Sequence, residues 1–117
     1  MKTHKDLEVW KLAIKLAGDV YKITEKFPKK ETFGMSSQMR RAAVSIGANI
    51  AEGAARQSKK EFLQFLSISQ GSASELDTLI EISKAADLMD NAVLDKLQAD
   101  VSRISKMVRG LIGSLKK

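Results

Sequence analysis

Seven apolar residues in the last quarter of the chain, Leu94, Leu97, Val101, Ile104, Val108, Leu111 and Leu115, step alternately three and four positions apart. Residues so spaced fall on one side of an α-helix, as a narrow seam that needs other helices to cover it. Three further segments carry a helical period. The first spans about residues 6–27, with Leu7, Trp10, Ile14, Ala17, Tyr21 and Thr24 as its stripe, widened by Leu16, Val20, Ile23 and Phe27. The single proline of the chain, Pro28, stops it, because proline disfavours helical geometry in the residue before it. The second spans about 36–56, with Ser36 as the N-cap and Thr32 as a rival start. The third spans about 59–86 and opens on "SKKE", where Ser58 and Glu61 predict a reciprocal capping box. The fourth spans about 91–115, with Asp90 as its cap.

No segment alternates as a half-buried strand would. Helices of roughly 21–28 residues rise about 1.5 Å per residue, so all four are about 30–40 Å long. Short connections join them. The expected fold is all-α: one domain over residues 1–117, an up-down-up-down antiparallel four-helix bundle.

The chain has no cysteine, which excludes disulfides, thiolate metal sites and a cysteine nucleophile. Its apolar runs are far shorter than the roughly 20 residues of a membrane span, and "MKTHKDLEVW" lacks the apolar core of a signal peptide. A soluble cytoplasmic protein with no membrane partner is expected.

The second helix, which contains "RRAAVSIGANIAEGAAR" from Arg40 to Arg56, carries three faces. Met35, Met39, Ala42, Ile46 and Ile50 form a core stripe. Ala43, Gly47, Ala51 and Ala55 stand four apart and form a ridge of very small side chains. Ser45, Asn49, Glu52 and Arg56 form a polar line. A glycine in a helix interior costs roughly 1 kcal/mol relative to alanine, so Gly47 and Gly53 call for close approach of another helix. That helix belongs either to the same bundle, where Ser67, Gly71 and Ser74 are small partners on the third helix, or to a second copy of the chain.

Catalytic chemistry finds little purchase. The only histidine is His4, expected in a loose N-terminus. The Glu-x-x-His pairs of di-iron bundles are absent. Glu75, Asp77 and Glu81 suggest a magnesium-binding helix, but the paired Glu-x-x-Glu pattern is missing and they read as a solvated acidic face. Glycine-rich phosphate loops are absent as well. No catalytic residue, metal or cofactor is expected.

The formal charge is +6, unevenly spread. Residues 1–60 hold 13 Lys/Arg against 6 Asp/Glu, residues 61–100 hold 2 against 8, and residues 101–117 hold 5 against none. Antiparallel threading gathers Lys2, Lys5, Arg56, Lys59, Lys60, Arg109, Lys116 and Lys117 at one end of the bundle. Lys26, Lys29, Lys30, Arg40 and Arg41 collect at the other. Arg40 and Arg56 are separated by about 24 Å of helix, so they form two patches, which a ring of parallel subunits would turn into two basic annuli. Such clusters suit phosphate contacts more than base reading. The candidate nucleic-acid-binding residues are Arg40, Arg41, Arg56, Lys59 and Lys60. The competing reading is that Arg40 or Arg41 pairs with acidic residues of the third helix.

"KDLEVWKLAIKLAGDVYKITEKFP", "FGMSSQMRRAAVSIGANIAEGAARQSKKEFLQFLSISQGSASELDT" and the turn after "IEISKAADLMD" resemble the small bacterial four helix bundle proteins. These include proteins encoded within intervening sequences of 23S ribosomal RNA genes and the accessory variability determinants of diversity-generating retroelements. The resemblance covers about residues 4–90, with the last helix similar in pattern only. It implies a bundle assembled as a ring, commonly a homopentamer, with no known catalytic residues. For the retroelement members it implies binding of nucleic acid and of a reverse transcriptase through a basic surface. Arg40 and Arg41 match the family's Arg-Arg, Arg56 the arginine after "AEG", and Lys59 and Lys60 the basic pair. His4 departs from a usual aromatic, and Gly47 stands where proline is common. No residue of the chain points to a retroelement, so the identity of a protein partner is left open.

Overall fold

The computed structural model describes residues 3–117; Lys2, grouped above with one basic end, lies outside them. Among the described residues the regular structure is entirely helical. The four helices are α1 (Glu8–Thr24), α2 (Met35–Ala54), α3 (Lys59–Ala85) and α4 (Asn91–Lys116), with 3-10 turns at His4–Asp6 and Lys29–Glu31.

Helix ends follow local chemistry. Before α1, Thr3 Oγ1 accepts the Lys5 N–H and Asp6 Oδ2 accepts the Thr3 N–H, both at 3.1 Å, so residues 4–6 turn tightly and α1 starts only at Glu8. At the other end the Thr24 hydroxyl bonds back to the Val20 carbonyl at 2.7 Å. The next residues tighten into three-residue turns, Lys26 N–H to Ile23 and Phe27 N–H to Thr24, and the chain becomes extended at Pro28. α1 is therefore shorter at both ends than its apolar period.

Gly34, not Ser36 or Thr32, occupies the N-cap position of α2 and offers no side-chain cap; Ser36 is buried in the first turn. Ser58 caps α3 by accepting the Glu61 N–H at 3.1 Å, but the Glu61 carboxylate takes the Ser58 hydroxyl rather than a backbone N–H. α3 ends at Asp87, whose φ of 58° is left-handed, with the Leu88 N–H returning to the Ser83 carbonyl at 2.9 Å. Asp90 Oδ1 accepts the Val93 N–H at 2.9 Å and starts α4.

α1 packs alongside α2 and α4, and α3 alongside α2 and α4. Arg40 lies beside Tyr21 and Thr24, and Gly47 beside Ala13 and Ile14, so α2 runs back along α1. Gly53 lies against Phe62 and Phe65, Ile46 against Ser69, and Met39 against Ser83, so α3 returns along α2. Lys96 near the start of α4 reaches Asp19 late in α1, while Ile104 shares a cleft with Leu12. The helices thus alternate in direction within a rod of 44 × 22 × 20 Å.

The core is an unbroken line of aliphatic side chains, including Leu16, Val20, Met39, Ile46, Ile50, Leu66, Leu76, Ile80, Leu97, Ile104 and Val108. The α4 seam is buried from Leu94 to Val108, and Leu111 and Leu115 half-buried beyond it. The α1 stripe is rotated from its expected position. Val9, Ala13, Leu16, Val20 and Thr24 face inward, whereas Ile14 is 48% and Tyr21 46% exposed. α1 is apolar over too wide an arc for periodicity alone to fix which line points in. Ion pairs add a surface link between α1 and α4: Asp19 lies 3.2 Å from Lys15 and 3.8 Å from Lys96. The hydrogen bond and charge of Asp100 hold the Lys96 ammonium above its ordinary pKa.

Candidate nucleic-acid interface

Arg40 and Arg41 are consecutive, hence about 100° apart around α2, and they meet different surroundings. Arg40 turns toward α1. Its Nε donates to Thr24 Oγ1 at 2.8 Å, an Nη donates to the Tyr21 carbonyl at 3.4 Å, and its guanidinium lies 4.7 Å from the centre of the Tyr21 ring. It thereby reaches one carbonyl of the last turn of α1, that of Tyr21, at a helix C-terminus where a cation is favoured. Arg41 is exposed and, among the described residues, has no carboxylate within ion-pairing distance. Neither arginine pairs with an acidic residue of α3. Glu75 lines an open cavity of about 1010 Å³ with both arginines but bridges neither.

Arg56, Lys59 and Lys60 surround the α2–α3 connection. The Arg56 guanidinium lies 5.0 Å from the Phe65 ring centre, 3.6 Å from a Glu52 oxygen and 3.8 Å from a Glu61 oxygen. Its charge is partly neutralised. Lys59 and Lys60 are exposed and, among the described residues, carry no such partner. The five candidate residues therefore form two groups at opposite ends of α2, and within each group one arginine is held by the fold.

The small ridge faces α1 of the same chain. A Cβ on Gly47 would lie 3.3 Å from Ile14 Cδ1 and 3.5 Å from the Ala13 Cβ. Ala43 and Gly47 are buried, Ala51 half-buried and Ala55 exposed. Gly53 meets α3 more closely: an added Cβ would fall 2.8 Å from Phe65 Cβ and 2.9 Å from Phe62 Cδ1. Ser67, Gly71 and Ser74, expected as small partners, are exposed. The short side chains that α3 brings against α2 are Ser69, whose hydroxyl donates to the Ile46 carbonyl at 2.9 Å, and Ser72, 2.7 Å from the Ser45 hydroxyl.

Two features were not apparent from the chain alone. Beside the ridge, Trp10, Ile14, Val44 and Ala48 line an apolar groove of about 290 Å³ between α1 and α2, with Val44 45% exposed. At the α1–α2 connection, Phe33 projects 97% exposed at the rim of the cavity that holds Arg40 and Arg41. The one-residue rotation of α1 hides the first, and a loop residue carries no period to reveal the second.

His4 lies in the 3-10 turn before α1, set edge-on to Trp10 with ring centres 5.0 Å apart. Glu81 accepts a hydrogen bond from Gln98 Nε2 at 2.9 Å. Among the described residues, no three His, Asp or Glu side chains converge as a metal site would require, and no helix is long and apolar enough to cross a membrane.

Comparison with known proteins brings a family model described as "23S rRNA-intervening sequence protein", which matches residues 5–110. Among solved structures, a protein of unknown function from the S23 ribosomal protein family of Bacteroides thetaiotaomicron superposes with a TM-score of 0.81 at 26% identity. The match covers 89% of this chain and 97% of that one. No curated protein sequence matches.

Proposed function

The chain belongs to the 23S rRNA-intervening sequence protein family, and we propose that it is a non-enzymatic, oligomeric helical-bundle protein that binds nucleic acid through phosphate contacts. The observation that carries this reading is the unneutralised cationic surface. Arg41, Lys59 and Lys60 are exposed without a carboxylate partner, on a chain of net charge +6. Unpaired lysines and arginines bind polyanions by releasing condensed counterions. RNA rather than DNA is proposed as the polyanion because the family's description names 23S rRNA. Assembly into a ring would multiply each patch, and the apolar groove at Trp10, Ile14 and Val44 supports self-association.

The test is fluorescence anisotropy with labelled RNA across a salt series. Affinity should fall linearly on a log–log plot, with a slope of about −0.7 per phosphate contacted on a single strand. Replacing Lys59 and Lys60 by alanine should flatten that slope. Affinity that ignores salt overturns the reading.

The same apolar groove also favours a second reading, a scaffold whose surfaces serve protein partners only, a reverse transcriptase being one such partner by resemblance. A uniform oligomer in sedimentation that ignores RNA at low salt would select it.

A further inference from the structure

We propose that the cavity at the α1–α2 connection is a docking site for a single-stranded nucleic-acid segment, with one base stacked on Phe33 and its phosphate on Arg41. The proposal rests on the nucleic-acid reading above and adds to it a site and a strand preference.

The composition of this cavity differs from that of the other grooves. Its lining is mixed: the aromatic Phe33 and Tyr21, the cationic Arg41, the polar Ser37 and Gln38, and one carboxylate, Glu75, which bridges neither arginine. The groove at Trp10 is apolar and suits a helix. This cavity has donors and a cation beside an aromatic face, as a nucleotide needs. Its volume of about 1010 Å³ matches the upper range of small-ligand sites, about 300–1,000 Å³.

Phe33 does nothing for the core, since 97% of it is exposed. Yet its backbone is well held. The Lys29–Glu31 turn precedes it, and the Gly34 N–H bonds to the Glu31 carbonyl at 3.0 Å. Tyr21 is fixed too, because Arg40 covers it at 4.7 Å while anchored to Thr24. The Phe33 backbone and the Tyr21–Arg40 pair are therefore set in place before any ligand arrives, which lowers part of the ordering penalty on binding, while the exposed side chains of Phe33 and Arg41 still carry theirs. Aromatic side chains stack unpaired bases with little sequence preference. A duplex buries its base faces and offers none to Phe33.

The experiment compares wild type, Phe33→Ala and Arg41→Ala against a labelled single-stranded oligoribonucleotide of about ten nucleotides and a duplex of the same length. Phe33→Ala should weaken single-strand binding roughly tenfold, the effect of losing one stacked base, and leave duplex binding unchanged. Arg41→Ala should weaken both and flatten the salt slope. Phe33→Trp should retain binding and report it by quenched fluorescence. Single-strand binding by Phe33→Ala within about twofold of wild type, far below a stacking effect, overturns the site while leaving the phosphate reading standing. So does a Phe33→Ala variant whose oligomeric state changes, which would assign Phe33 to a protein interface. A wild type that binds neither RNA overturns both proposals.

Discussion

Arg40 is joined to Thr24 by a hydrogen bond of 2.8 Å from its Nε to the threonine hydroxyl, which itself donates to the Val20 carbonyl at 2.7 Å. The hydroxyl is thus used in both directions, and the α1 C-terminus is tied to α2 through a charge-assisted contact. Arg40→Ala should lower stability by about 1.5–3 kcal/mol, the range for hydrogen bonds to charged groups. Arg40→Lys should recover only part of it, because an ammonium lacks the planar fork that reaches Thr24 and Tyr21 together. Arg41→Ala should leave stability within about 0.5 kcal/mol. Urea denaturation of the three variants checks this, and equal losses at positions 40 and 41 would contradict it.

Gly53 and Gly47 should respond differently to the same substitution. At Gly53 a methyl group would meet Phe65 Cβ at 2.8 Å and the Phe62 carbonyl at 3.3 Å, atoms that cannot swing away. Gly53→Ala should destabilise by about 1–3 kcal/mol through overpacking. At Gly47 the nearest atom is the end of the Ile14 side chain at 3.3 Å, and Ile14 is half exposed and free to move. Gly47→Ala should be neutral or gain up to about 1 kcal/mol of helix propensity. Thermal denaturation separates the two, and a loss at Gly47 as large as that at Gly53 would show that α1 cannot yield.

These contrasts mark how far the sequence could be read. The α4 seam is narrow, so its alternating spacing left one inward direction and Leu94 to Val108 are buried accordingly. α1 offered two overlapping apolar lines, and only the position of its neighbours decides that Val9 and Ala13 go in while Ile14 and Tyr21 stay out. Gly47 and Gly53 are the same residue in the same helix, and what separates them is the opposing surface. For the candidate interface, the cationic residues were legible by type and by threading. The tie between Arg40 and α1, the pairing of Arg56 with Glu52 and Glu61, and the aromatic rim at Phe33 were not, because each depends on side chains from elements distant in the chain.

Asp87 closes α3 in the left-handed region, at a φ of 58°. Glycine is the usual residue at such a position because a Cβ crowds the backbone there. Asp87→Gly should therefore raise stability by up to about 1 kcal/mol, because relief of the left-handed cost, about 1–2 kcal/mol, outweighs the extra freedom glycine gives the unfolded chain, about 0.4–1 kcal/mol; this is seen as a higher denaturation midpoint at unchanged slope. A lower midpoint would mean that the aspartate side chain contributes an interaction that outweighs its backbone strain.

The seat of Gly53 against Phe62 and Phe65 also bears on the order of assembly. It lies beside the four-residue link 55–58 that joins α2 to α3, where closing the chain sacrifices little entropy. The α2–α3 hairpin is thus expected to condense first and to template the outer pair, in keeping with the speed of locally connected helical folds. Stopped-flow kinetics should then show slower refolding for a Gly53 variant, and faster unfolding at unaltered refolding rate for a truncation in the α4 seam such as Ile104→Val.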